Sequence, residues 1–274
     1  MNDARAALVG VFDSGVGGLS VLAELRRELP HESFLYYADS GHCPYGGKPA
    51  AEIAARAFAI TDELLAAGAK LIVVACNTAT IAAVEPLREA YPLSFVGIEP
   101  AIKPAIAGTK SGVVGVLATG AALAGDKFLR LQAQHGGDVR VITQPCPGLV
   151  EFVERGELDG PAVRALVQRY VEPLLRDGAD TLVLGCTHYP FVRDLIADVA
   201  GPGVTLLETG AAVARQTRRV LEREGLLRTA GSGGFEWRTS GDRRQVGAVI
   251  GRLKDLAPGR NPAEPLESHE RGEN

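Results

Sequence analysis

The hydrophobic residues of this chain follow two alternating patterns. Short apolar runs rich in β-branched residues predict strands, and longer segments with apolar residues at every third or fourth position predict helices between them. The predicted strands lie near Leu8–Phe12, Ser33–Ala38, Leu71–Ala75, Ser94–Gly97, Val113–Leu117, Val139–Thr143, Thr181–Leu184 and Val204–Leu207. Helical patterns include Leu19–Leu29 and Ala50–Ala67. Strands that are apolar on both faces and alternate with helices predict an α/β fold, in which helices cover both sides of a parallel sheet.

The last predicted elements return the chain to its first half. A helical pattern at Ala211–Glu224 is followed by a strand-like run at Phe235–Thr239 and a helical pattern at Asp242–Leu253. Residues 258–274 contain three Pro, four Glu and one large apolar residue. This composition predicts a disordered tail.

One segment of the chain recurs later at a fixed offset. Leu64–Cys76 matches Leu174–Cys186 at Leu, Leu, Gly, Ala, Val and Cys, and Gly10–Gly15 matches Gly115–Gly120 more weakly. A helix, a Gly-Ala pair and a buried strand follow one another in many α/β proteins, so chance recurrence is one explanation. A cysteine at the same place in both copies favours a true repeat, because cysteine is scarce here.

The repeat and the returning C-terminal elements together predict two domains. Residues 1–97 and 208–257 are expected to form the first α/β domain, and residues 98–207 the second, with pseudo-symmetric parallel sheets. Open α/β sheets bind ligands at the carboxyl ends of their strands. Two facing halves would therefore hold the active site between them, with one thiol from each.

Composition and charge narrow the class of protein. The 274 residues are 46% hydrophobic and 23% charged, with a formal net charge of −4. A chain of this length buries roughly three-quarters of its unfolded surface without a metal or disulfide. The chain contains no block of like charge of the kind that binds nucleic acids, so the sequence does not predict a nucleic-acid partner. The longest uncharged run, Ser111–Gly125, is too short to span a membrane.

The four cysteines do not form a metal or redox motif. Cys43, Cys76, Cys146 and Cys186 contain no CxxC pair among them. The N-terminal residues do not resemble a secretory leader. The expectation is therefore a cytoplasmic protein with free thiols and no metal.

A glycine-rich turn follows the first predicted strand, at Asp13–Gly18. Such a turn presents backbone N–H groups to an anion. It fits a dinucleotide motif only in part, because Ser20 replaces the last glycine, although Asp39 could serve as the ribose acid. Asp13 would repel a pyrophosphate, so a carboxylate ligand, or Asp13 as a proton-handling group, is the better interpretation.

The next loop, Asp39–Lys48, is dense in Gly, Pro and polar residues. This composition favours a binding loop over core, with an irregular surface turn as the alternative. Cys43 beside His42 suggests a nucleophile pair only weakly, because neighbours on an extended loop point apart.

The two segments that most clearly indicate a functional site begin at Cys76 and Cys186. Each follows a buried strand and precedes a predicted helix. A thiol at a helix N-terminus is expected to have a lowered pKa. A lone strand-end cysteine is more often a small buried hydrophobe, but two in matched copies favour function. Cys146 has no matching partner and is interpreted as structural.

Two thiols on opposite sides of a substrate suit inversion of a stereocentre. One thiolate would remove a proton from one face of a carbon, and the other thiol would return a proton to the opposite face. Each positioned proton carrier contributes about 10²–10⁴-fold. Orientation and charge stabilisation would supply the rest.

Several motifs resemble those of one known family, the glutamate racemases of the aspartate/glutamate racemase superfamily. They are Asp13-Ser14-Gly15 with Gly17-Gly18, Pro44-Tyr45-Gly46, Cys76-Asn77-Thr78, Gly185-Cys186-Thr187-His188-Tyr189-Pro190 and the Ser240-Gly241-Asp242 turn. The resemblance runs in the right order through nearly the whole chain.

The resemblance implies cofactor-independent interconversion of L- and D-glutamate, which supplies D-glutamate for peptidoglycan. Cys76 would act on D-glutamate and Cys186 on L-glutamate, with Asp13 and His188 assisting the respective thiols. The implied substrate-binding residues are Asp13, Ser14, Tyr45, Gly46, Asn77, Thr78, Thr187 and His188. Glu154 is a further candidate acid. Homodimers are common in the family, so the resemblance allows a homodimer, but the sequence does not determine the oligomeric state.

Three other functions stay open at this point. An aspartate racemase would share both cysteines and differ around the side-chain carboxylate. A non-catalytic amino-acid-binding protein would keep the fold, and its function would survive Cys76→Ala. A dinucleotide enzyme would be stabilised by its cofactor.

Overall fold

The computed structural model describes residues 7–123 and 139–253. The strands among them are β1 Leu8–Asp13, β2 Phe34–Ala38, β3 Ala69–Val74, β4 Ser94–Gly97, β5 Val113–Ala118, β6 Arg140–Pro145, β7 Thr181–Gly185, β8 Thr205–Leu207 and β9 Phe235–Thr239. Each predicted strand is present, with its ends shifted by two residues at most. The predicted tail at 258–274 lies outside the described residues.

Helices separate most of these strands. They are α1 Leu19–Glu28, α2 Ala50–Ala66, α3 Asn77–Ala90, α4 Ile102–Gly108, α5 Gly120–Leu123, α6 Leu149–Glu154, α7 Pro161–Arg176, α8 Arg193–Ala200, α9 Gly210–Arg223 and α10 Arg243–Leu253. Short 3-10 helices span Ser40–His42, Tyr45–Gly47 and Tyr189–Val192. Within the described ranges, no helix has both the length and the apolar character needed to cross a bilayer.

The strands form two parallel sheets, and four strands are arranged in the same order in both. The larger sheet runs β4-β3-β1-β2-β9 and the smaller runs β8-β7-β5-β6. The first four strands of each correspond one to one, so the sequence repeat reflects a repeated sheet. The predicted α/β fold with two pseudo-symmetric parallel sheets is confirmed. The residue boundaries given above for the two domains stay a prediction.

The extra strand explains how the chain returns to its first half. β9 pairs in parallel with β2, with Phe235 opposite Phe34. Helix α9 packs against α1, where the absence of a side chain at Gly210 lets the two helices approach at Glu24. The C-terminal elements therefore complete the larger sheet.

The central strands of both sheets are buried on two faces, as their sequences predict, whereas β6, β8 and β9 are partly exposed. β1, β2 and β7 are almost wholly inaccessible, and three apolar clusters fill the spaces between sheets and helices. The largest cluster continues from one face of the larger sheet into the smaller one. Because the core is continuous, the carboxyl ends of β1, β3 and β7 meet in one region.

Candidate active site

The two repeated cysteines lie at corresponding strand ends. Cys76 follows β3 and caps α3, with its Sγ accepting the N–H of Ala79 at 3.4 Å. Cys186 follows β7, and both thiols are buried. Cys186 does not open an α-helix, contrary to the prediction. The N–H of Tyr189 bonds the Cys186 carbonyl at 3.1 Å, and this tighter i→i+3 bonding gives a 3-10 turn before α8 begins.

A small cavity lies between the two cysteines. It is lined by Ser14, Pro44, Tyr45, Gly46, Cys76, Asn77, Thr78, Thr119, Val150, Gly185, Cys186, Thr187 and His188. All the predicted site residues except Asp13 and Glu154 line it, and those two lie directly behind the lining. The cavity volume of about 10 Å³ is enough for one water molecule. The cleft is therefore nearly closed.

Asp13 occupies the glycine-rich turn that follows β1. Its fully buried carboxylate accepts the N–H of Ser14 at 2.7 Å and that of Gly18 at 2.6 Å. The hydroxyl of Thr187 donates to the same carboxylate at 3.3 Å. The backbone donors that a phosphate would need are thus used by the chain's own acid, which argues against the dinucleotide interpretation.

The surroundings of Cys76 oppose its ionisation. Burial raises the pKa of Cys76 well above its usual value, and the neighbouring carboxylate of Asp13 adds to the rise. Burial also raises the pKa of Asp13, against the lowering effect of His188. The prediction that the helix N-terminus lowers the pKa of this thiol is wrong, because loss of water outweighs the helix dipole here.

Cys186 has a histidine and an acid behind it. The Nδ1 atom of His188 lies 3.7 Å from the Cys186 Sγ, and its Nε2 atom lies 2.7 Å from an oxygen of Glu154. Burial lowers the pKa of His188, but its contacts with Cys186, Cys43 and Glu154 outweigh burial and raise that pKa well above its usual value. These contacts therefore favour the imidazolium form of His188, which can donate one N–H to Glu154 and direct the other at the thiol.

Glu154 links the two halves of the site. It ends α6, and its carboxylate accepts the N–H of Val16 at 2.6 Å and the hydroxyl of Ser40 at 3.2 Å. Burial raises the pKa of Glu154, but the hydrogen bond from His188 and the other donors outweigh it and lower that pKa. The carboxylate is therefore ionised beside the imidazolium.

A second buried acid anchors the loop after β2. Asp39 accepts two hydrogen bonds from Arg56, at 2.7 and 3.0 Å, and one from the hydroxyl of Tyr45 at 2.5 Å. Burial raises the pKa of Asp39, but the Arg56 guanidinium and the other donors lower it overall. The ordered network makes Asp39–Lys48 part of the site rather than an irregular surface turn.

The two remaining cysteines have different surroundings. His42 contacts Asp39 at 3.1 Å, whereas the thiol of Cys43 lies against His188 and Glu154, so the neighbours face apart. Cys146 is buried, and its Sγ donates to the carbonyl of Gln144 at 3.3 Å.

Sequence reasoning missed Thr119, Val150 and Arg56. The hydroxyl of Thr119 lies 3.0 Å from that of Thr78 across the cleft. The weaker of the two sequence matches aligns Thr119 with Ser14, so the repeat contained a signal for it. Val150 and Arg56 lie on helices, where no local motif marks them.

The fold and the paired cysteines are those of an amino-acid racemase. The sequence matches the family model described as Asp/Glu/Hydantoin racemase over residues 14–217. Since this match covers most of the chain, the chain belongs to that family and is an enzyme. The family assignment made from the motifs is confirmed.

Relatives and solved structures agree with this assignment. A protein named glutamate racemase from Herpetosiphon aurantiacus is 63% identical over 235 residues, which are 85% of this chain and 92% of that protein. Another from Ectopseudomonas mendocina is 57% identical over 251 residues, which are 91% of this chain and 95% of that one.

Two solved structures share the fold over nearly the whole chain. A glutamate racemase isoform from Bacillus anthracis has a TM-score of 0.83 at 32% identity and covers 91% of this chain and 94% of its own. The Escherichia coli glutamate racemase, solved with L-glutamate and the activator UDP-MurNAc-Ala, has a TM-score of 0.81 at 32% identity, with coverages of 92% and 96%.

Proposed function

We propose that this enzyme interconverts L- and D-glutamate by a two-thiol mechanism that uses no cofactor. The observation that carries the proposal is that Cys76 and Cys186 leave corresponding strands of two similar sheets and line one cavity. The relatives described above, named glutamate racemases, support the choice of substrate.

In the proposed reaction each cysteine serves one face of the substrate. The thiolate of one cysteine takes the α-proton, which leaves the electron pair on the α-carbon and its carboxylate. The thiol of the other cysteine then gives its proton to the opposite face. The enantiomer is formed, and the two cysteines have exchanged protonation states.

The two thiols have different charged neighbours, which suits one of them to act as the acid and the other as the base. The carboxylate beside Cys76 favours the neutral thiol, which is the acid. Cys186, with His188 beside it, would then be the base. Each turnover moves one proton across the cleft, so Asp13 and His188 would return the pair to its starting state.

The cavity lining offers partners for an amino acid. Both side-chain amide atoms of Asn77 are buried and find no hydrogen-bond partner in the described part of the chain. Ser14, Thr78 and Thr187 add hydroxyl groups, and Tyr45-Gly46 closes the wall. A zwitterion with a second carboxylate can use these groups, because buried polar atoms gain most from being paired.

An amino acid is several times larger than the cavity. Binding therefore requires the two halves to separate at the cleft, or the Asp39–Lys48 loop to move. The same closure would exclude water once the substrate is bound, which strengthens every charge interaction at the α-carbon.

The wider role follows from the product. D-glutamate would be supplied to peptidoglycan synthesis, which builds the cell wall and maintains cell shape, and a cytoplasmic location fits the four free cysteines.

The test follows α-proton exchange in D2O with L-glutamate, without added cofactor, by NMR and optical rotation. Loss of rotation together with deuterium at the α-carbon is expected. Cys76→Ser and Cys186→Ser should each lower racemisation by at least about 10²–10⁴-fold, the contribution of one proton carrier. Each should still exchange the α-proton of the one enantiomer that faces its remaining thiol.

Three outcomes would change the proposal. Exchange with aspartate but not glutamate would move the substrate and keep the mechanism. Racemisation that survives either serine variant would refute the two-thiol mechanism. No exchange with either amino acid, in protein with an intact circular dichroism spectrum, would leave the non-catalytic binding protein as the better hypothesis.

A further inference from the structure

A third thiol meets the acid and the histidine behind the cleft. One ligand atom each from Cys43, Glu154 and His188 lies within 4.8 Å of the other two. The Nε2 atom of His188 already contacts Glu154 at 2.7 Å. The proposed reaction uses His188 and leaves Cys43 without a role.

The three atoms lie close enough together for small shifts to bring them onto one metal ion. Bonds of about 2.0–2.3 Å to zinc place tetrahedral ligand atoms about 3.3–3.7 Å apart. The pair His188–Glu154 is closer than this, so it must open by about 0.6 Å when a metal replaces its shared proton. A thiolate, an imidazole and a carboxylate together select a zinc-like cation over Mg²⁺ or Ca²⁺, which take oxygen ligands.

The site has a route to solvent that avoids the cleft. The side chain of Glu154 is 17% exposed and that of Cys43 is half-buried, whereas His188 is 2% exposed. Neither Cys43 nor Glu154 lines the cavity between the catalytic thiols. A cation would therefore reach His188 from the side of Glu154, behind the face that meets Cys186.

We propose that Cys43, Glu154 and His188 form an inhibitory site for a zinc-like divalent cation. Its ligands are the Cys43 thiolate, a Glu154 carboxylate oxygen and the His188 Nε2, and water completes the tetrahedron. Binding releases two protons to solvent, one from the thiol and one from Nε2. The net charge of the buried group is unchanged, so the metal brings no unpaired charge into the site.

Inhibition follows because the metal takes the Nε2 atom of His188. The metal then stands where Glu154 bonds the ring, so the histidine beside Cys186 loses its direct contact with the acid. This consequence rests on the proposed role of His188 in racemisation. The binding of the metal does not rest on it.

The test uses Co²⁺ as a spectroscopic stand-in for Zn²⁺ in the reduced full-length chain. A thiolate-to-cobalt charge-transfer band with tetrahedral d–d absorption is expected at one Co²⁺ per chain, and Zn²⁺ should displace it. Cys43→Ser should abolish the band and weaken Zn²⁺ binding by at least about 10–100-fold, the loss caused by removing even an outer partner of a metal ligand. Cys146→Ser and Cys76→Ser, which remove other thiols, should keep the band.

Activity supplies the second readout. Zn²⁺ should inhibit racemisation by the native chain and by Cys146→Ser, with recovery on addition of EDTA. Cys43→Ser should resist Zn²⁺, with its activity in added Zn²⁺ compared with its own metal-free activity. A band that survives Cys43→Ser but is lost in Cys76→Ser would assign the metal to the cleft thiols and overturn the proposal, as would the absence of binding. A Cys43-dependent band in a chain without racemase activity would leave the metal site standing and refute the proposed function instead.

Discussion

Glu154 is the side chain that joins His188 to the glycine-rich turn. Its carboxylate accepts hydrogen bonds from the Val16 N–H, the Ser40 hydroxyl and the His188 imidazolium. A carboxylate can accept from all three donors, whereas an amide would turn its NH2 group towards at least one of them. The negative charge of Glu154 therefore orders both the turn and the histidine.

Glu154→Gln should lower kcat/KM by about 10–100-fold, since a hydrogen bond to a charged group contributes about 1.5–3 kcal/mol. The loss should be the same for L- and D-glutamate, because enantiomers have equal free energies and the ratio of the two kcat/KM values is fixed. Initial rates measured from both enantiomers check this. Glu151→Gln, on the same helix, is the control and should leave both rates near those of the native chain. Unchanged kcat/KM in Glu154→Gln would mean that His188 needs no anionic partner.

The segment between β2 and α2 is held in place by one ion pair, between the buried Asp39 and the partly buried Arg56. Arg56 on α2 and Tyr45 in the loop both bond Asp39, at the end of β2. Both 3-10 turns of the loop lie within this network. The position of the cleft wall at Tyr45-Gly46 therefore depends on a helix that does not itself line the cavity.

Arg56→Gln should raise KM for glutamate more than it lowers kcat, because it frees the wall of the cleft and leaves both thiols in place. Removing one partner of a buried, hydrogen-bonded charge pair costs about 2–5 kcal/mol, which sets an upper limit of several thousandfold on kcat/KM. Steady-state kinetics would separate the two constants. Arg88→Gln, which breaks a pair with Glu85 on α3, should change neither. A fall in kcat at constant KM would contradict a wall-positioning role.

Asp180 fastens the loop after α4 to the start of β7. Its carboxylate accepts the hydroxyl of Thr109 at 2.6 Å and the N–H groups of Lys110 and Ser111, each at 2.7 Å. Burial raises the pKa of Asp180, but these hydrogen bonds outweigh it and lower the pKa. A carboxylate with a lowered pKa in the folded state stabilises the fold above its unfolded pKa of about 3.9, and this contribution is lost as the pH falls through the folded value.

Asp180→Asn should therefore destabilise the chain at pH 7 by about 0.5–1.5 kcal/mol, because solvent screens this partly exposed carboxylate, and the difference should narrow as the pH falls below about 4. Urea unfolding at a series of pH values measures this. Asp177→Asn breaks an exposed pair with Arg140 and should change stability little at any pH. A difference between Asp180→Asn and the native chain that is constant with pH would show that the charge of Asp180 does not contribute.

The whole molecule forms its site where two similar sheets present their strand ends to each other. Residues from both sides meet there, as in the contact between Thr78 and Thr119 and the bond from Thr187 to Asp13. A ligand bound in this cleft contacts both halves. It therefore binds the folded chain and not the unfolded chain. Its binding must therefore stabilise the fold.

Glutamate at 100 times its Kd should stabilise the folded chain by about 2.7 kcal/mol and raise Tm by about 5–10 °C, since a chain of this size gains about 2–4 °C per kcal/mol. Differential scanning fluorimetry measures the shift. Asn77→Ala should reduce it, because the two unpartnered amide atoms are then missing. A shift with a dinucleotide and none with glutamate would revive the dinucleotide interpretation.

The sequence by itself determined the α/β fold, the strands, the repeat and the two thiols at matching strand ends. These features are local or periodic. Buried strands need continuous apolar runs, and a duplicated unit keeps its cysteine at the same distance from its Gly-Ala turn. The prediction therefore needed only neighbours along the chain.

The tertiary structure decided the electrostatics of the site. The Asp13 carboxylate points back into the glycine-rich turn and bonds the N–H of Gly18. Burial raises the pKa of the Cys76 thiol, which the helix terminus alone would lower. The carboxylate of Glu154 meets the N–H of Val16, 138 residues away along the chain. Desolvation depends on every atom packed around a group, and a hydrogen bond between distant residues depends on how whole elements are placed. Neither quantity is contained in the spacing of residues along the chain.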